Sequence, residues 1–185
     1  MTVVAAMVLA GCGESETAST PDDTRAEADN SGTTERPNGK TSDCSTRSEA
    51  DFPGAFTDED NLAVGPLALI GAGGTPEYSE GSGGNKFQLL VRNHHRVTIE
   101  VPQETGQNAS LAYATHADPG GHQVLGFIAC RKNQPSGSSA DGRPVTFWSG
   151  GVLADSPQCV PLRVWVDDRR TPQEATISLG VESCA

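Results

Sequence analysis

Thirty-one consecutive residues, Gly13 to Asp43, contain no Val, Leu, Ile, Met, Phe, Tyr or Trp. Such a segment has nothing to bury that could offset an ordering cost of about 1–2 kcal/mol per residue, so a disordered tail is expected there. Its eight acids and three bases leave it at −5, which keeps it solvated and extended. As a flexible chain it would span on the order of 30 Å end to end. Whatever folds must therefore lie from Cys44 onward. At 185 residues the chain has room for that tail and one ordinary domain.

Beyond Cys44 short apolar runs alternate with Gly, Pro, Asn, Asp and Ser clusters. Strands are predicted near Leu67–Ile70, Phe87–Arg92, Val97–Val101, Leu111–Thr115, Val124–Cys130, Val145–Trp148, Val160–Val166 and Thr176–Val181. The clearest pair surrounds Asn93-His94-His95-Arg96, which has the length of a hairpin turn, although Leu90 breaks the alternation before it. Val160, Leu162, Val164 and Val166 alternate inward, with Pro161 suiting an edge or a strand start. Helical periodicity is nearly absent, Phe52–Leu62 offering at most one short turn. Trp148 and Trp165 sit within apolar strands and read as core. The pattern predicts an all-β fold: a two-sheet antiparallel β-sandwich of immunoglobulin-like or jelly-roll-like type, with a small barrel as the alternative.

Five cysteines are present: Cys12, Cys44, Cys130, Cys159 and Cys184. Setting Cys12 aside leaves an even four, none in a C-x-x-C pair, so two disulfides in an oxidising compartment are expected. Three connectivities are open to four cysteines. The favoured one joins Cys44 to Cys184, clamping the ends of the domain, and Cys130 to Cys159.

Residues 3–10 are apolar and far too few to cross a bilayer, which takes about 20 residues. They have the size of a signal-peptide core and lead into Leu9-Ala10-Gly11-Cys12. These four residues resemble the lipobox of bacterial lipoproteins. The resemblance implies cleavage before Cys12 and its attachment to diacylglycerol. No Lys or Arg precedes Arg25, so the basic region of an export signal is missing and the true start is expected upstream. Two acyl chains hold a protein to a membrane without any transmembrane helix. The organisation expected is a signal peptide over residues 1–11, a lipid-anchored acidic tether over 12–43 and the β-domain over 44–185.

Within the domain, Cys130, Trp148-Ser149-Gly150-Gly151, Pro157, Cys159-Val160-Pro161-Leu162, Gly180 and Cys184 resemble small secreted domains and lipoproteins of actinobacteria. That resemblance covers about the last third of the chain. It implies the compartment and a β-rich fold, and it carries over no catalytic residue.

Candidate chemistry is sparse. A net charge of −11 argues against nucleic acid and against electrostatic docking on anionic lipid. His116 and His122 flank a tight Gly-rich loop with Asp118 and form a weak metal-site candidate, ordinary loop histidines being the simpler reading. His94 and His95 are neighbours whose side chains diverge. Ser149 lacks the first Gly of a nucleophile elbow, Phe147 standing in its place, and Gly150-Gly151 reads as a turn. The Gly-rich stretch from Gly71 to Lys86 lacks G-K-[ST] and reads as a long surface loop. Asp167-Asp168-Arg169-Arg170 reads as a solvated hairpin tip. No catalytic residue and no cofactor is assigned. The expected protein is a monomeric, extracytoplasmic, membrane-anchored envelope lipoprotein with a binding module for an envelope or extracellular ligand. The alternatives are a secreted envelope hydrolase or a metal-handling surface protein.

Overall fold

The computed structural model describes residues 35–103, 108–114 and 116–184. Cys12 and most of the expected tether lie outside the described residues. The described part is nearly all β, with 13 strands in three mostly antiparallel sheets. In chain order they are β1 (Lys40–Ser42), β2 (Leu62–Val64), β3 (Leu67–Leu69), β4 (Gly84–Lys86), β5 (Leu89–Arg92), β6 (Arg96–Glu100) and β7 (Ala109–Tyr113). They continue as β8 (Val124–Ile128), β9 (Ser138–Ala140), β10 (Arg143–Trp148), β11 (Gly150–Ala154), β12 (Gln158–Val166) and β13 (Gln173–Leu179). The first sheet runs β1-β8-β6-β12-β13, the second β2-β3-β5-β10-β9 and the third β4-β11-β7.

The second and third sheets share two chain segments, β4–β5 and β10–β11. Two residues separate β4 from β5, and Ser149 alone separates β10 from β11. Across this join the Phe87 N–H donates to the Gly150 carbonyl at 3.0 Å. Gly150 and Gly151 therefore open a strand, where a turn was expected. The reason is steric: a Cβ on Gly151 would lie 2.2 Å from the Asn85 carbonyl oxygen, and one on Gly150 2.3 Å from that of Ala112. Only glycine lets β11 lie this close to both neighbours. Gly84–Lys86 likewise belongs to a strand and not to a surface loop.

One apolar cluster draws on all three sheets: Val97, Leu125 and Val164 from the first, Leu89 and Trp148 from the second, Leu111 and Val152 from the third. Trp148 and Trp165 are both fully buried, as expected of strand aromatics. A smaller cluster lies on the other face of the second sheet, where Leu90, Val145 and Phe147 are covered by Phe52, Ala55 and Phe56. The covering segment is a run of tight turns, Thr57 and Asp58 N–H both bonding to the Gly54 carbonyl, and contains no helix.

All eight expected strands are present, but the expected hairpin is not. β5 pairs with β3 and β10 in the second sheet, whereas β6 pairs with β8 and β12 in the first. Leu89, Leu90 and Val91 are all buried, because β5 is covered on both faces. Asn93 to His95 carries the chain from one sheet to the other. Pro161 sits where β12 pairs with β13 alone, since β6 reaches only Arg163–Val166, so the strand is edge-like at its start and central at its end.

The disulfides join Cys44 to Cys130 and Cys159 to Cys184, correcting the expected pairing. The cause is β1, which the composition gave no reason to expect. β1 runs parallel to β8, with Ser42 opposite Phe127, so both chains leave the sheet together and bring Cys44 beside Cys130, Cα atoms 4.8 Å apart. The folded unit accordingly begins ahead of the Cys44 boundary, within the stretch read as tether.

Candidate functional site

Immediately after Cys130, bridged to Cys44, the chain enters a turn of exposed residues. Gln134 N–H donates to the Arg131 carbonyl at 2.9 Å, and the Gln134 side chain accepts from Arg131 N–H at 3.2 Å. Cys130 fixes this turn from inside. Its carbonyl accepts from His94 N–H at 3.0 Å, and its own N–H donates to Thr146 Oγ1 at 2.7 Å. Thr146 Oγ1 in turn donates to Asn93 Oδ1 at 2.8 Å. His94 is held at φ 72°, a left-handed conformation that costs a non-glycine residue about 1–2 kcal/mol.

These contacts mount His94, Arg131 and Lys132 on one exposed surface. Two shallow cavities, of about 560 and 780 Å³, are both lined by His94, Arg131, Lys132 and Gln134. The first continues over Asn93, Ser138 and Ser139, the second over Asn133 and Ile128. No Phe, Tyr or Trp is among the described residues lining either. Among the described residues, neither the Arg131 nor the Lys132 side chain has a carboxylate or other hydrogen-bond partner, whereas Lys40, Arg47, Arg96 and Arg163 each meet an acid. One carboxylate lies in each cavity, and each is engaged locally. Asp51 accepts from Ser139 Oγ at 2.8 Å. Asp43 accepts from the Ser45 hydroxyl and N–H, which hold its carboxyl below the usual range.

The histidine candidates fall elsewhere. Asp118 Oδ2 lies 2.8 Å from His122 Nε2, out of line with the ring N–H, and 3.2 Å from Lys40 Nζ. The Lys40 hydrogen bond and charge, with help from His122, hold the Asp118 carboxyl below its usual range. The His116 ring stands edge-on to that of His122, centroids 5.9 Å apart, with Nε2 3.2 Å from the Thr41 carbonyl. His116, Asp118 and His122 thus come together against β1. Among the described residues no three His, Cys, Asp or Glu side chains are grouped to hold a metal ion.

His95 and the acidic tip after β12 form a second polar cluster. His95 Nδ1 is 2.8 Å from Asp167 Oδ2, Arg96 N–H donates to Asp167 Oδ1 at 3.0 Å, and Arg96 pairs with Asp168. The tip expected to be merely solvated therefore fastens the start of β6. Burial raises the Asp167 carboxyl, but the Arg96 N–H, the His95 ring and the Arg96 charge together outweigh it and leave it low. Ser149 lies between β10 and β11, its carbonyl accepting from Ala114 N–H at 2.9 Å. Among the described residues no serine hydroxyl bonds to a histidine ring.

The cationic turn is the feature sequence reasoning passed over, although a signal was present. Between Asp118 and Asp141 there is no Asp or Glu, and Arg131-Lys132 stands alone in that stretch of an otherwise acidic chain. No protein-family model, curated protein or solved structure matches the chain.

Proposed function

We propose that the chain is a lipoprotein anchored on the extracytoplasmic face of the cell envelope through Cys12, presenting its folded unit as a binding module. In this reading the first sheet packs across the main core against the second and third together, as a β-sandwich. The observation that carries the proposal is the cysteine pairing: the two disulfides consume every cysteine of the folded unit and leave only Cys12, which follows Leu9-Ala10-Gly11. Disulfides of this kind persist in oxidising compartments. An open polar surface around a pinned turn, with no serine hydroxyl bonded to a histidine ring among the described residues, suits recognition better than turnover.

The address is tested by expressing the chain in a bacterium behind a lipoprotein signal peptide ending at its own Leu9-Ala10-Gly11-Cys12. Membrane and soluble fractions are then separated, and the N-terminal peptide is weighed. A diacylglyceryl adduct on Cys12 in the membrane fraction is expected, and Cys12→Ser should release the protein. An unmodified Cys12 in the membrane or soluble fraction refutes the anchor.

A further inference from the structure

Resting on that reading of the folded unit as an envelope binding module, we propose that the His94–Arg131–Lys132 surface is its ligand site. The ligand it fits is a polyhydroxylated chain carrying anionic groups, carboxylate or phosphate. Three observations converge. Arg131 and Lys132 are adjacent exposed cations without a partner among the described residues, in a chain of net charge −11, and both line the same two cavities. The backbone of the turn bearing them is pinned by the Cys44–Cys130 bridge and by the Cys130–Thr146–Asn93 hydrogen bonds, so on binding the ordering cost falls on the side chains and not on the turn. His94, one of four described non-glycine residues at positive φ, stands beside the pair and is held there by its N–H bond to the Cys130 carbonyl.

The shape and lining narrow the ligand. Two cavities that share the cation pair in their lining and extend over different residues beyond it give room for a chain and not only for a single ion. Guanidinium and ammonium groups take carboxylate or phosphate oxygens through charge-assisted hydrogen bonds. Ser139, Asn93, Gln134 and Asn133 offer the hydroxyl and amide partners that sugar or polyol hydroxyls need. The lining residues include no Phe, Tyr or Trp on which nucleobases could stack.

The test is isothermal titration of the full chain with three oligomers of similar length: an oligogalacturonate, a glycerol-phosphate oligomer and neutral maltohexaose. At least one anionic oligomer should bind and maltohexaose should not; which anion binds identifies the source. Arg131→Gln with Lys132→Gln should weaken binding at least about tenfold. Arg169→Gln with Arg170→Gln, which removes the same charge from the exposed tip after β12, should leave it within about twofold. In the wild type, ligand should shift the amide resonances of His94 and residues 131–134 and 136–139, a readout that does not depend on the variants folding. Failure of both anionic oligomers, equal binding of maltohexaose, an equal loss in the tip variant or shifts confined to other residues would each overturn the site. The Cys12 adduct is read independently by mass, so the address and the ligand site can fail separately.

Discussion

Removing the two disulfides one at a time gives unequal losses whose sizes follow from the connectivity. Cys44–Cys130 closes 86 residues of chain and Cys159–Cys184 closes 25. The chain-entropy relation gives about 4.6 kcal/mol for the longer loop and about 3.5 kcal/mol for the shorter. At about 3 °C per kcal/mol for a domain of this size, Cys159→Ala with Cys184→Ala should lower the thermal midpoint by about 10 °C, and Cys44→Ala with Cys130→Ala by about 14 °C. Packing widens the gap, because Cys44 and Cys130 are buried whereas Cys159 and Cys184 are half-exposed. The turn at Cys44 also anchors a core side chain, since the Trp148 indole N–H reaches the Asp43 carbonyl and Thr46 Oγ1. The two loops follow one another along the chain, so the losses should add to about 8 kcal/mol, which exceeds the lower end of the ~5–15 kcal/mol typical of whole domains. Calorimetric melts of both pair variants without reductant measure the difference, and non-reducing peptide maps read the bonds directly. A larger loss for the Cys159–Cys184 pair, or a Cys44 peptide linked to that of Cys184, would refute the reasoning.

Gly151→Ala should destabilise by about 1–3 kcal/mol in urea unfolding, because the new methyl meets the Asn85 carbonyl oxygen at 2.2 Å and backbone cannot give way. Gly120→Ala, where a Cβ meets nothing within 4 Å, is the neutral control. Asp167 governs part of the acid response: its carboxyl is held low in the folded state, so its stabilisation is complete above the unfolded value near pH 4 and lost as the pH falls through the lower folded value. Asp167→Asn should flatten the fall in stability below about pH 4 while lowering stability at pH 7 modestly; an unchanged acid slope would remove Asp167 from the account.

The sequence spoke clearly wherever a strand had one face in the core. Val97–Ile99–Val101 and Val160–Leu162–Val164–Val166 alternate because alternate side chains enter the shared cluster. The strands it hid are short or polar. Lys40–Ser42 and Ser138–Ala140 carry no large apolar side chain, and Gly84–Lys86 and Gly150–Gly151 owe their pairing to the absence of side chains. Such strands are specified by what they pair with, which local pattern does not record. The disulfide connectivity was hidden for the same reason, since it depends on β1.

The topological error and the missed site have one cause. Read locally, Asn93-His94-His95-Arg96 lies between two alternating runs and has hairpin length. Leu90 departs from that pattern because β5 is covered on both faces, by the main core and by the Phe52–Phe56 segment, but this burial does not say which strand comes next to it. In a hairpin His94 would stand at a tip, with only Arg92 and His95 for company. In the crossing its N–H bonds to the Cys130 carbonyl, 36 residues further along the chain, and the His95 carbonyl accepts from Ala129 N–H. That is the step that sets His94 beside Arg131 and Lys132. The proposed ligand surface therefore arises from the point where the chain changes sheets. Its residue types are visible in the sequence, but their proximity is a property of the crossing alone.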